Sequence, residues 1–175
     1  MNFNNLIHGN IGLIHTVFAS IALIAGTTVL IKQKGSKFHK QIGYIYAASM
    51  VVMLITAFML YNLYGSFGIF HFFAVVSTFT LLAGMMPIIR GKPTNYISLH
   101  WNFMYWSVFG LYAAFVAETL VRIPQVVIES GIPNTTFYNM VGIGVGIVMG
   151  IAYFVLNRKK KDWEKFEKRQ EIFNE

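Results

Sequence analysis

The chain has 175 residues, of which 55% are hydrophobic and only 12% charged, with a formal net charge of +7. Those proportions exclude an ordinary water-soluble domain and describe a chain in which lipid must replace most of the usual polar surface. No cysteine is present, so disulfides, thiolate metal sites and iron–sulfur clusters are excluded and any redox or metal chemistry falls to histidine.

Five apolar runs follow in chain order, at residues 11–31, 42–63, 68–89, 97–121 and 137–156. Each is close to the ~20 residues that a membrane-spanning helix needs. Between them stand Gly35 and Ser36, then Tyr64, Gly65 and Ser66, then residues 91–95 with Pro93, and last residues 131–136 with Pro133, the punctuation expected of turns. Pro87 lies near the end of the third run and is expected to bend it. The first run has no basic segment before it and is too long for a secretory signal, so it reads as a retained helix. The expected fold is all-α: an integral membrane bundle of five transmembrane helices within residues 1–157, with a core bundle at 6–122 and a tail at 158–175.

Lysine and arginine fix the expected orientation. Lys32, Lys34, Lys37 and Lys40 follow the first run, Arg90 and Lys92 the third, and Arg158, Lys159, Lys160, Lys161, Lys165, Lys168 and Arg169 the fifth. Alternating crossings put all of them on one side, against Arg122 alone on the other. The expected location is a bacterial inner membrane, where the positive-inside rule predicts an N-terminus outside and a cytoplasmic C-terminus. The basic charge is a topology signal and a contact for anionic headgroups, not a nucleic-acid footprint. In the tail, Trp163, Phe166 and Phe173 fall roughly on one stripe, which predicts an amphipathic extension along the inner interface.

The histidines carry the functional reading. His15 is four residues inside the first run and His71 three inside the third, which places both about 5 to 6 Å below the outer boundary at ~1.5 Å per residue. His39 immediately precedes the second run and His100 is three residues inside the fourth, so these two share the inner side. His8 precedes His15 by one heptad and reads as a wet terminal residue or a substitute for it. The halves also resemble a duplicated hairpin: His15, Leu23–Gly26 (LIAG), Lys32, Gly35, His39 against His71, Leu81–Gly84 (LLAG), Arg90, Gly91, His100. The thirteen residues from His71 to Gly84 predict that this glycine lies off the face of its histidine.

In a four-helix bundle, helices one and three, and two and four, face each other diagonally. Paired imidazoles at matched depth can then supply both axial ligands of a haem iron. This predicts two b-type haems, one on His15 and His71 and one on His39 and His100, with Lys34, Lys37 and Lys40 neutralising the inner propionates. The expected function is transmembrane electron transfer, with a quinone or small redox protein as partner.

The stretch KGSKFHKQIGYIY at residues 34–46, together with His15, His71 and His100, resembles an uncharacterised bacterial family of small predicted membrane proteins of four helices with a KG…H…G inner loop. The resemblance covers about residues 6–122 and leaves the fifth helix outside; it implies the membrane fold and no activity. The histidine layout is also similar to that of two-haem b cytochromes of the ascorbate-reducing type.

Two other classes compete. Glu118 lies eighteen residues, five turns, after His100 and shares the depth of His15 and His71, so these three could hold zinc or iron for hydrolysis or oxygen activation; alternatively Glu118 pairs with Arg122 one turn on. Gly142, Gly146 and Gly150, with Gly144 between them, form a small-residue stripe for packing on the chain's own bundle or on a partner, as in an accessory or scaffold subunit. Trp101, Phe103, Tyr105, Trp106 and Phe109 read as an interfacial belt and core or as the lining of a haem pocket. No nucleophile triad or phosphate loop is present, and GIGVG in the fifth run is helix packing, since no strand precedes it.

Overall fold

The computed structural model describes residues 9–60, 67–90, 95–127 and 134–174. They form α1 (Gly9–Ile31), α2 (Lys37–Met59), α3 (Ile69–Ile89), α4 (Tyr96–Val127) and α5 (Asn134–Asn174). Each contains a stretch long and apolar enough to cross a membrane, and each falls on one of the five apolar runs. The expectations attached to His8 and to the side chains of Arg122, Phe166 and Phe173 lie outside the described residues.

Two boundaries move in ways that matter. α2 begins at Lys37, so His39 sits in its first turn and not ahead of the helix. The cause is local: Gly35 has a φ of 77°, which turns the chain, and the Ser36 hydroxyl then caps the new helix by accepting from the His39 N–H at 3.1 Å. α5 runs without a break from its apolar span into the basic segment. The extension therefore continues the helix axis past the span, and Trp163 holds it to the bundle.

α1 packs on α2, α3 on α4, and both hairpins close into a ring through α2 with α3 and α1 with α4, while α5 lies against α4. α1 and α3, and α2 and α4, are thus the diagonals. Small residues let the hairpins close tightly. A Cβ on Gly26 would stand 3.0 Å from the Tyr46 ring, and one on Gly84 2.8 Å from Met104 Sδ. The LIAG and LLAG glycines therefore do the same job in the two hairpins, and Gly84 is buried with His71 because α3 is covered by neighbours on more than one side. The core centre is filled by Ala22, Tyr46, Met50, Val108 and their neighbours.

The glycine stripe of α5 divides by face. Gly144 meets Leu120 and Val116 of α4, with a Cβ contact of 2.6 Å, whereas Gly142, Gly146 and Gly150 meet nothing within 4 Å. The packing glycine against the bundle is the one between the others.

Candidate functional site: two histidine levels in the bundle

At the end away from the lysines, His15 is buried and ties three helices together. Its Nδ1 lies 3.1 Å from the Met53 carbonyl and 3.2 Å from Thr56 Oγ1 on α2. A carbonyl only accepts, so Nδ1 carries a proton and donates it. Nε2 faces Glu118 Oε2 on α4 at 4.0 Å. The shared depth of His15 and Glu118 read from helix spacing is thus realised as a contact.

His71 is placed differently. Its ring stacks on Phe67 with centroids 4.9 Å apart, and its Nδ1 accepts from the Gly68 N–H at 3.2 Å, closing the first turn of α3. That bond puts the proton of a neutral ring on Nε2, the reverse of the tautomer that Nε2 ligation needs. His71 does not join His15 and Glu118: among the described residues, no three histidine or acidic side chains are grouped so as to hold a metal ion.

At the lysine-rich end, His100 Nδ1 donates to the Gly84 carbonyl of α3 at 2.8 Å. His39 donates to the Val29 carbonyl of α1 and lies near Lys34 and His100. His39 Nδ1 is shielded from solvent and has no hydrogen-bond partner among the described residues, as does Trp101 Nε1. His39 Nδ1 and His100 Nε2 thus both carry lone pairs at one level.

Lys34 turns inward. Its Nζ donates to the carbonyls of Val29 at 2.7 Å and Leu30 at 3.0 Å, capping α1, and lies 5.9 Å from the centroid of Trp163. Burial pushes its ammonium down to about 8. Trp163 in turn packs on Trp101 at 4.8 Å and Tyr105 at 5.5 Å, and the Tyr105 hydroxyl donates to the Ala152 carbonyl at 2.6 Å. Lys37 and Lys40 are exposed. Of the three lysines assigned to propionates, Lys34 is already engaged and the other two remain open to water or headgroups.

The register of this level is set deeper in the core. Tyr46 is seven residues after His39 and Ser107 seven after His100, and their hydroxyls are hydrogen-bonded at 2.8 Å. Two turns of helix nearly preserve the facing direction, so the bond aligns α2 and α4 with His39 and His100 on matching faces about 10 Å nearer the lysines. Tyr46 and Ser107 carried no distinct signal in the sequence: a tyrosine and a serine in apolar helices read equally well as belt and packing.

The two histidine pairs differ in how they could hold a haem. In the lysine-rich pair the level, the diagonal helices and the Nδ1–H to carbonyl bond of His100 are those a shared ligand needs, whereas His39, like His71, carries its ring proton on Nε2 and has Nδ1 open. Presenting His39 Nε2 to iron would give up its bond to Val29, whose carbonyl Lys34 already satisfies. The far pair does not fit as arranged, because His15 Nε2 is directed at Glu118 and His71 Nδ1 is an acceptor.

Comparison with known proteins matches residues 12–156 to a family described as predicted membrane protein, DUF2306. The match extends into α5, so the fifth span belongs to the family's common part, contrary to the expectation that it falls outside. No curated protein and no solved structure matches, and the likeness to two-haem b cytochromes gains no support from these comparisons. With five apolar helices and a match over most of its length, the chain belongs to the DUF2306 family of predicted membrane proteins.

Proposed function

We propose that the chain is a redox membrane protein that holds a b-type haem at the lysine-rich end of its bundle, between His39 on α2 and His100 on α4. The observation that carries this reading is the register set by Tyr46 and Ser107, which matches the two histidines in level and face across the diagonal. His100 is oriented by the Gly84 carbonyl, and His39 keeps a buried nitrogen without a partner. Trp101, Trp163 and Tyr105 supply apolar ring surface nearby, and Lys37 and Lys40 offer cations for acidic groups at the interface. A haem bound there would supply one-electron exchange, with a quinol or a small redox protein as the partner class. In this reading the lysine-rich end faces the cytoplasm of a bacterial inner membrane.

The test is the absorption spectrum of detergent-purified protein with haem and metal content measured on the same sample. His39→Ala and His100→Ala should each abolish the pigment. A colourless protein with full helical content would favour the second reading, a scaffold whose histidines tie helices together. That reading is supported by the bonds of His15 to α2 and of His39 and His100 to the carbonyls of Val29 and Gly84.

A further inference from the structure

We propose that the α1–α2 turn and the basic extension of α5 form one composite surface for anionic phospholipid headgroups, assembled by the docking of Trp163. Two segments far apart in sequence meet through this one side chain. From Arg158 to Asp162 every side chain is exposed, whereas Trp163 is half-buried. Its ring lies on Trp101 and Tyr105 of α4 at 4.8 and 5.5 Å, and the Nζ of Lys34 stands 5.9 Å from its centroid. An indole face attracts a cation held over it. Lys34 is itself tied to the Val29 and Leu30 carbonyls at 2.7 and 3.0 Å, so its ammonium is a fixed part of the bundle. α5 is thereby fastened to the turn as well as to α4.

The charge gathered by this contact is of one sign. Lys32, Lys37 and Lys40 are exposed around the turn, and Arg158, Lys159 and Lys161 are exposed on α5. Among the side chains described, Asp162 is the only acid at this end. Like charges brought together repel, so the docked arrangement is favoured by an anion from outside the chain. Position selects which anion. Lys32 directly follows the apolar span of α1 and Lys37 opens that of α2, which puts both at the height of headgroups. The Arg158 guanidinium lies over the Phe154 ring at 4.4 Å, and Phe154 is exposed on the apolar span of α5, so Arg158 sits at that height too. An anionic phospholipid offers its phosphate there while its chains lie against the spans.

Lipid and docking then strengthen one another by linkage. Headgroups bound across both segments hold Trp163 in its place, and loss of Trp163 parts the segments and weakens the lipid. A simple sum of charges gives no such effect, since Trp163 carries none. The surface does not use the rings of His39 and His100.

The experiment is native mass spectrometry of full-length protein in neutral detergent, titrated with phosphatidylglycerol, with phosphatidylcholine and with inorganic phosphate. Phosphatidylglycerol should bind at least about tenfold more tightly than phosphatidylcholine. Lys159→Gln with Lys161→Gln, and separately Lys32→Gln with Lys37→Gln, should each weaken it about tenfold, as two lysines near an anionic surface contribute. Trp163→Ala should weaken it to a similar degree with every cation still in place, and Trp163→Phe should restore most of the affinity. Circular dichroism verifies that the variants remain helical. Should Trp163→Ala fail to fold, the two lysine pairs decide, since both must lower the affinity of the same first-bound lipid. His100→Ala should leave the lipid affinity unchanged, which separates this result from any result on haem. Equal binding of the two lipids, displacement of phosphatidylglycerol by inorganic phosphate, or an affinity untouched by Trp163→Ala would overturn the proposal. So would an affinity lost in His100→Ala, or one lowered by only one of the two lysine pairs.

Discussion

Tyr46 on α2 and Ser107 on α4 share a buried hydrogen bond of 2.8 Å, seven residues beyond His39 and seven beyond His100. This single contact crosses the diagonal of the bundle and keeps the two helices in step. Removing the phenol hydroxyl leaves Ser107 buried beside an apolar edge, so Tyr46→Phe should destabilise the protein by about 1–2 kcal/mol. Thermal unfolding in detergent would read this as a lower midpoint. An unchanged midpoint would mean that the bond does not hold the register.

The glycines give a contrast within one protein. A methyl group at Gly84 would lie 2.8 Å from Met104 Sδ and 3.1 Å from the Met104 backbone nitrogen, and backbone cannot step aside as a side-chain tip can. Gly84→Ala should therefore cost about 1–3 kcal/mol. Gly146→Ala, with nothing within 4 Å, should leave unfolding of the isolated chain unaltered or slightly raise its midpoint through helix propensity. Paired melting curves of the two variants check this; equal losses would contradict the packing described.

Much of the fold was legible because a bilayer imposes length. Five runs of about the required span predicted five helices, and counting along them placed His15 level with Glu118, and His39 level with His100. What could not be read was rotation about each helix axis. Lipid is as apolar as the bundle interior, so a helix such as α5 shows isoleucines toward lipid and valine or alanine toward α4 with no polar face to mark the difference. For that reason the stripe of Gly142, Gly146 and Gly150 reads as the packing surface when Gly144 is the one against Leu120. The same ambiguity hides the turn of Lys34 under Trp163. His71 is ambiguous for another reason: its nearness to the start of α3 suggests a ligand, and the first turn of a helix also has unsatisfied N–H groups of its own, with His71 accepting from the Gly68 N–H just ahead of it.

Lys34 provides a pH signature outside the spans. Burial lowers its ammonium to about 8, while in an unfolded chain a lysine keeps its proton to about pH 10.4. Between those values the unfolded state binds more protons, so the stability contribution of this residue rises with pH across that window and is constant below it. The midpoint of the unaltered protein relative to Lys34→Met should therefore climb between pH 8 and pH 10. Tryptophan emission should also shift near pH 8, as the ammonium beside Trp163 loses its charge, and Lys34→Met should abolish that shift. A flat difference between the two proteins across the window would count against a buried Lys34.

A redox role depends most on His39 and His100 sharing one iron, and the reduced-minus-oxidised spectrum of the purified protein measures that most directly. The result predicted is one haem per chain, lost in His39→Ala and in His100→Ala and kept in His71→Ala. A chain without pigment, or pigment that survives the loss of either His39 or His100, would contradict it.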